Sequence, residues 1–183
     1  QEGVNAADPG DVIAIFTGNY DHVVINKDNL TLHGESTDSV VIDDGASYTI
    51  GVFADNVTLH NITVRGGSTA SIYTNHEYTS IINCTVTQGD RKSGNWAVHI
   101  DGNYASVRQC IIKSAGWGIH FTGVNNCSVN STQFFDIENK AMVMENAQGL
   151  QIYRANFSDS FCGIRLLNTT ASNIQENDFV NNK

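Results

Sequence analysis

Hydrophobic positions recur along this chain in one phrase, apolar-x-x-small-x-apolar, opened by Leu59, Ile81, Val107, Val129, Ile152 and Ile174 at intervals of 22, 26, 22, 23 and 22 residues. The phrases read LHNITV, IINCTV, VRQCII, VNSTQF, IYRANF and IQENDF, so the closing apolar column is Val64, Val86, Ile112, Phe134, Phe157 and Phe179. Self-similarity at such a period means that one unit is stacked on itself. A second phrase lies between the anchors: SIYT at Ser71, AVHI at Ala97, GIHF at Gly118, AMVM at Ala141 and GIRL at Gly163. Both runs are short, alternate apolar with polar positions, and are bounded by Gly, Asn, Asp or Ser, which is strand and turn chemistry. Each unit therefore holds at least two strands. No stretch sustains a helical period, which excludes βαβ units. The expected fold is all-β, a right-handed parallel β-helix (solenoid) of about seven to eight coils, each about 4.8 Å from the next.

A leucine-rich repeat fits the period, but the chain has only six leucines, and Val, Ile and Phe fill its apolar columns. At 183 residues and 40% hydrophobic content, the chain reads as one domain spanning residues 1–183 with a continuous core. A formal charge of −9 excludes a nucleic-acid partner, because no Lys/Arg cluster compensates for it. No apolar run approaches the length of a membrane span. The sequence begins at Gln1 without Met or a signal-like stretch, as expected of a mature secreted protein of the extracellular cell envelope. Eight Asn-x-Ser/Thr sequons begin at Asn29, Asn56, Asn61, Asn83, Asn126, Asn130, Asn156 and Asn168. They read either as a glycosylated exterior or as ordinary turn residues.

The four cysteines, Cys84, Cys110, Cys127 and Cys162, lack the spacing of a zinc site. Cys84 and Cys110 share a column of adjacent units, close enough for a disulfide and equally suited to a ladder of buried thiols. Cys127 and Cys162 fall at turn-like phases, where links to another chain are expected.

Candidate chemistry is sparse. Asp101 and Glu145 share a phase two coils apart, with Thr122 between them, and no flanking acid joins them. Tyr73, His99, His120, Val143 and Arg165 share an outward column, and Trp96/Trp117 with His99/His120 read as like-on-like ladders. Asp43, Asp44, Asp90 and Asp136 read as solvated loop acids. These residues suggest no catalytic site, no metal site and no cofactor; the chain is expected not to be an enzyme.

The opening NAADPGDVIAIFTGNYDHVVINKDNLTLHG resembles the first coils of secreted archaeal and bacterial β-helix proteins with pectin-lyase-like repeats, which read PGD-hydrophobic-x-PGxY followed by N-K-x-x-L-T-L-x-G. Thr17 stands where the second proline is usual, and the Asn-Thr-Asp and Gly-His-Gly signatures of that superfamily's glycosidases are absent. The resemblance therefore implies fold and no hydrolase activity. In its acidity, sequons and size the chain is also similar to the sheath proteins of filamentous methanogenic archaea, which build tubular hoops by amyloid-like β-stacking reinforced by disulfides.

That second resemblance implies a structural subunit of a surface layer. The short segment before the first strand, broken at Pro9-Gly10, and the few residues after Phe179 are expected to leave both ends of the solenoid open. Val12, Ile13, Ala14, Ile15 and Phe16 at one pole, and Ile174, Asn177 and Phe179 at the other, are the expected assembly edges of a homo-oligomeric ring, hoop or filament. The alternative from another class is a carbohydrate-binding or lyase-like β-helix, with Tyr73, Tyr78, Tyr104, Tyr153 and Trp96 as its platform.

Overall fold

A computed structural model describes residues 1–88 and 94–183, which form a right-handed parallel β-helix of about seven coils. Among the described residues each full coil gives one strand to each of three parallel sheets. The first sheet runs in eight strands from Val12–Ile15 to Asn173–Gln175, and the second in eight from Gly18–Tyr20 to Asp178–Val180. The third has seven: Val23–Ile25, Tyr48–Val52, Ala70–Thr74, Trp96–Ile100, Trp117–Thr122, Lys140–Glu145 and Cys162–Leu167.

The anchor phrase proves to be two strands, because its third residue turns a corner. Asn61, Asn83, Gln109, Ser131, Arg154 and Glu176 all sit at φ between 48° and 56°, and a left-handed residue breaks the strand pleat. The next residue drops inward, and in three coils its polar atom receives a backbone N–H from the coil before. Cys110 Sγ accepts from Cys84 N at 3.5 Å, Thr132 Oγ1 from Cys110 N at 3.4 Å, and Asn177 Oδ1 from Ala155 N at 2.8 Å. That is why the position is small and often polar.

The apolar columns stack in register down the interior. Leu32, Leu59, Ile81, Val107, Val129 and Ile152 line the first sheet, and Ile42, Val64, Val86, Ile112, Phe134 and Phe157 the second, all fully buried. Phe134, Phe157 and Phe179 stack nearly parallel, with centroids 4.7 and 4.9 Å apart. Burying each such side chain contributes roughly 1.5–3 kcal/mol, provided that a coil covers it on both sides.

At the N-terminal pole the expectation of a bare first coil is corrected. Residues Glu2–Ala6 form a short helix, α1, whose Val4 enters the core together with Ala7. Pro9-Gly10 ends the helix rather than preventing it. Gln1 Oε1 accepts from Val24 N (2.8 Å) and Gln1 Nε2 donates to Val24 O (3.1 Å), pairing part of the third sheet's first edge. Lys27 Nζ donates to Asn5 O and Ala7 O, both at 2.7 Å. Val12 and Phe16 stay exposed beside this cover, with Ile13 and Ile15 half-buried and Ala14 on the surface. At the other pole Ile174 and Phe179 are exposed and Asn177 is half-buried.

Candidate functional site

Strand alternation lifts one column of the third sheet outward, and parallel register sets Tyr73, His99, His120, Val143 and Arg165 in line along it. The column at the strand ends carries Asp101, Thr122 and Glu145, and the one at the strand starts carries Trp96, Trp117 and Lys140. The rings form a continuous strip. Tyr48 stacks on Tyr73 at 4.4 Å, Tyr73 meets His99 edge-on at 5.5 Å, and His99 stacks on His120 at 4.8 Å. Trp96 stacks on His120 at 4.2 Å and packs against Trp117 at 4.6 Å, and the Lys140 ammonium lies 4.0 Å over the Trp117 ring.

Carboxylates border this strip. Tyr73 donates its hydroxyl to Asp101 Oδ2 at 3.1 Å. Asp101 Oδ1 lies 3.0 Å from His99 Nε2 but outside hydrogen-bonding angles, so this buried oxygen has no donor. Glu145 Oε2 is 3.5 Å from His120 Nε2. Burial, with the Asp101 charge and hydrogen bond added, pushes the Tyr73 phenol up to about 12. Burial depresses His99 against the opposing pull of Asp101. His120 is depressed by burial and then by His99, against Glu145. At neutral pH the strip therefore presents two uncharged imidazoles beside two acids. Thr122 Oγ1 lies 3.0 Å from Nε2 and 3.3 Å from Nδ1 of His120. The two ring lone pairs diverge, so no atom lies along both. Thr122 therefore bonds at most one His120 nitrogen at a time, and its Oγ1 is also 3.5 Å from His99 Nε2.

The structure sorts the sequence candidates. Asp101, Thr122, Glu145, His99 and His120 come together, and Tyr73 and Trp96 of the aromatic set join them. Tyr78 and Tyr104 lie at the next corner, and Tyr153 stands on the first sheet under Arg154. Tyr48 and Lys140 went unrecognised, although both fall in the strand-start column of Trp96 and Trp117, a spacing that was a usable signal. Asp44 is a turn cap rather than a solvated acid, accepting from Ala46 N at 2.6 Å and contacting His22 at 3.2 Å. Asp136 takes the corner φ of 57° and accepts from Ser114 Oγ; Asp90 lies outside the described residues. Of the sequon asparagines, Asn29, Asn56, Asn61, Asn83, Asn126 and Asn168 occupy left-handed corners, which Asn tolerates better than most residues.

All four cysteines are free thiols. Cys84 and Cys110 sit in the inward ladder, and the bond shared with Cys84, then burial, raises the Cys110 thiol. The expectation that Cys127 faces another chain is corrected: it is fully buried, with Sγ 3.4 Å from Gly102 O, and burial lifts its pKa to about 11. Cys162 is half-buried. Among the described residues no group of three or more His, Cys, Asp or Glu is placed to hold a metal, and no helix is long and apolar enough to cross a membrane.

A family model described as "Right handed beta helix region" matches residues 48–183. No curated protein matches the chain. Among solved structures, pectin methylesterase PemA from Erwinia chrysanthemi superposes with a TM-score of 0.58 at 11% identity, over 98% of this chain and 87% of that one. The pectin methylesterase from Yersinia enterocolitica gives 0.57 at 12%, over 98% and 92%. The Aspergillus niger enzyme gives 0.56 at 13%, over 100% and 80%. At these identities the likeness establishes fold alone. It nevertheless corrects the expectation of a non-enzyme, because these solved molecules that share the architecture are enzymes.

Proposed function

Because the chain belongs to the right-handed β-helix family, we propose that it is a carbohydrate-active protein that hydrolyses an ester on a polysaccharide lying along the third sheet. The observation that carries this reading is the gathering of Tyr73, Trp96, His99, Asp101, His120 and Glu145 on one outward face, with uncharged imidazoles set against acids. The rings of Tyr48, Tyr73 and Trp96 offer stacking surface to sugar rings. Asp101 and Glu145 border the rings as carboxylates, the groups that accept sugar hydroxyls. His120, held neutral, takes a proton from water as the oxygen adds to the ester carbonyl, and returns it to the departing alkoxide. Glu145, 3.5 Å away, stabilises the transient imidazolium. Similarity to pectin methylesterases supports ester chemistry at the level of fold. The self-stacking envelope reading draws less support, since Gln1 already occupies Val24 at the N-terminal edge of the third sheet.

The test is release of methanol or acetate from methylated and acetylated polysaccharides by wild type, His120→Gln and Trp96→Ala. Hydrolysis abolished in the first variant and weakened in the second, with both folded, is the expected result. Wild type that releases neither product from any substrate, or His120→Gln with full activity, sinks the reading.

A further inference from the structure

The corner that returns the chain from the third sheet to the first holds a separate aromatic feature. Its left-handed position is filled, coil by coil, by Asn29, Asn56, Tyr78, Tyr104, Asn126, Gly149 and Ala171, with φ between 51° and 71°. Asn and Gly take this conformation cheaply, whereas a bulky side chain there is an outlier that the surrounding structure must enforce. Two successive tyrosines nevertheless occupy it.

The corner's hydrogen bonds do not depend on the tyrosine side chains. The backbone and side-chain amides at this corner are served by the residue before each tyrosine. Asp28 Oδ1 accepts from Asp55 N and Asp55 Oδ1 from Glu77 N, both at 2.9 Å. Glu77 Oε1 accepts from Asn103 Nδ2 at 3.0 Å, and Asn103 Oδ1 from Asn125 N at 2.8 Å. The tyrosine rings instead project: they stack within 7° of parallel at 4.9 Å and remain 49% and 43% exposed. Shorter Asn56 and Asn126 hold the same position in the flanking coils, so the stack stands as a half-exposed two-ring fin.

We propose that Tyr78 and Tyr104 form a sugar-binding platform that holds an uncharged pyranose stretch of the same polysaccharide beside the third-sheet site. This rests on the polysaccharide reading above. A sugar combines an apolar C–H face, which packs on an aromatic ring, with hydroxyls that suit surrounding amides and carboxylates. Asp28, Asp55 and Glu77 around the fin disfavour a phosphate or uronate at this point. Only Gly102 and Asn103 separate Asp101 from Tyr104, so their Cα atoms lie within about 11 Å, and one oligosaccharide spans both. Gly102 pins the intervening turn, because any side chain there meets the His76 carbonyl.

The experiment is calorimetric titration of the intact protein with neutral and uronate hexasaccharides, using wild type, Tyr78→Asn/Tyr104→Asn and Trp96→Ala, with a thermal melt of each. Asparagine restores the residue of the neighbouring coils. The double variant is therefore expected to melt no lower than wild type while binding the neutral hexamer at least tenfold more weakly. If its Tm falls together with binding, Tyr78→Phe/Tyr104→Phe decides, because retained affinity supports the platform and lost affinity overturns it. Unchanged affinity in Tyr78→Asn/Tyr104→Asn, with Trp96→Ala weakened, overturns this inference and leaves the polysaccharide reading standing. Wild type that binds no hexasaccharide brings both down.

Discussion

Replacing Phe157 by alanine tests whether stability resides in stacked columns. The ring is fully buried and lies between Phe134 at 4.7 Å and Phe179 at 4.9 Å. Deleting such a ring removes its transfer free energy and leaves a cavity that rigid strands above and below refill poorly, at a cost of about 3–5 kcal/mol. Phe179 is the same residue type in the same column, but it is 52% exposed and stacks on one ring only. Its deletion is expected to cost about 1–2 kcal/mol, from half the buried area and a single aromatic contact. Against a total stability of roughly 5–15 kcal/mol, the first variant approaches the limit of folding and the second does not. Urea denaturation followed by circular dichroism measures both, with hydrogen exchange to localise any loss to the last coils, as quasi-one-dimensional stability requires. Equal costs, or a larger cost at Phe179, would show that the column is not the stabilising unit.

Three further outcomes follow from the same geometry. Gly102→Ala drives a methyl group onto the His76 carbonyl and should cost roughly 1–3 kcal/mol, read as a lower Tm and, if the turn shifts Asp101, as weaker sugar binding. Cys84, Cys110 and Cys127 are buried and Cys162 is half-buried, so a thiol reagent should titrate one group in the native protein and four after denaturation; rapid modification of two or more native thiols contradicts the placement. His99 and His120 have folded pKa values below the ordinary histidine value. The unfolded chain therefore binds more protons, and stability should fall as pH drops below about 6.5. His99→Gln/His120→Gln should flatten that fall, and an unchanged profile would show that the imidazoles are not held neutral.

The architecture was legible because a solenoid writes its period into the sequence. The anchors at Leu59, Ile81 and Val107 define a coil, and side chains in register repeat the same choice. The third strand per coil was not legible, because its corner depends on φ rather than on residue type. Asn61 and Asn83 signal a left-handed turn, but Gln109, Arg154 and Glu176 make the same turn without one. The short helix before Asp11 escaped for a related reason, since five residues carry no period and what holds them is tertiary: the contacts to Val24 and Lys27 and the burial of Val4. The site was half visible. Asp101, Glu145, His99 and His120 were recognised as sharing columns, but their chemistry depends on burial and on Tyr73 reaching Asp101, neither of which spacing reveals.

The distribution of regularity over the surface separates a working face from a scaffold. Outside the first sheet, one column runs Thr31, Thr58, Ser80, Ser106 and Ser128, an ordinary hydroxyl ladder that any coil can copy. A protein whose task is only to stack has reason to repeat that pattern on every face, since identical coils give identical junctions. The third sheet departs from it over consecutive coils, replacing small polar residues with Tyr73, Trp96, His99, Trp117 and His120 and leaving Asp101 Oδ1 and Trp117 Nε1 buried without partners. Each unpaired buried polar atom costs about 1–3 kcal/mol. Two strained tyrosines stand at the adjoining corner. These departures gather ring and carboxylate side chains on the third sheet, and it is there that the proposed polysaccharide reading places its sugar rings.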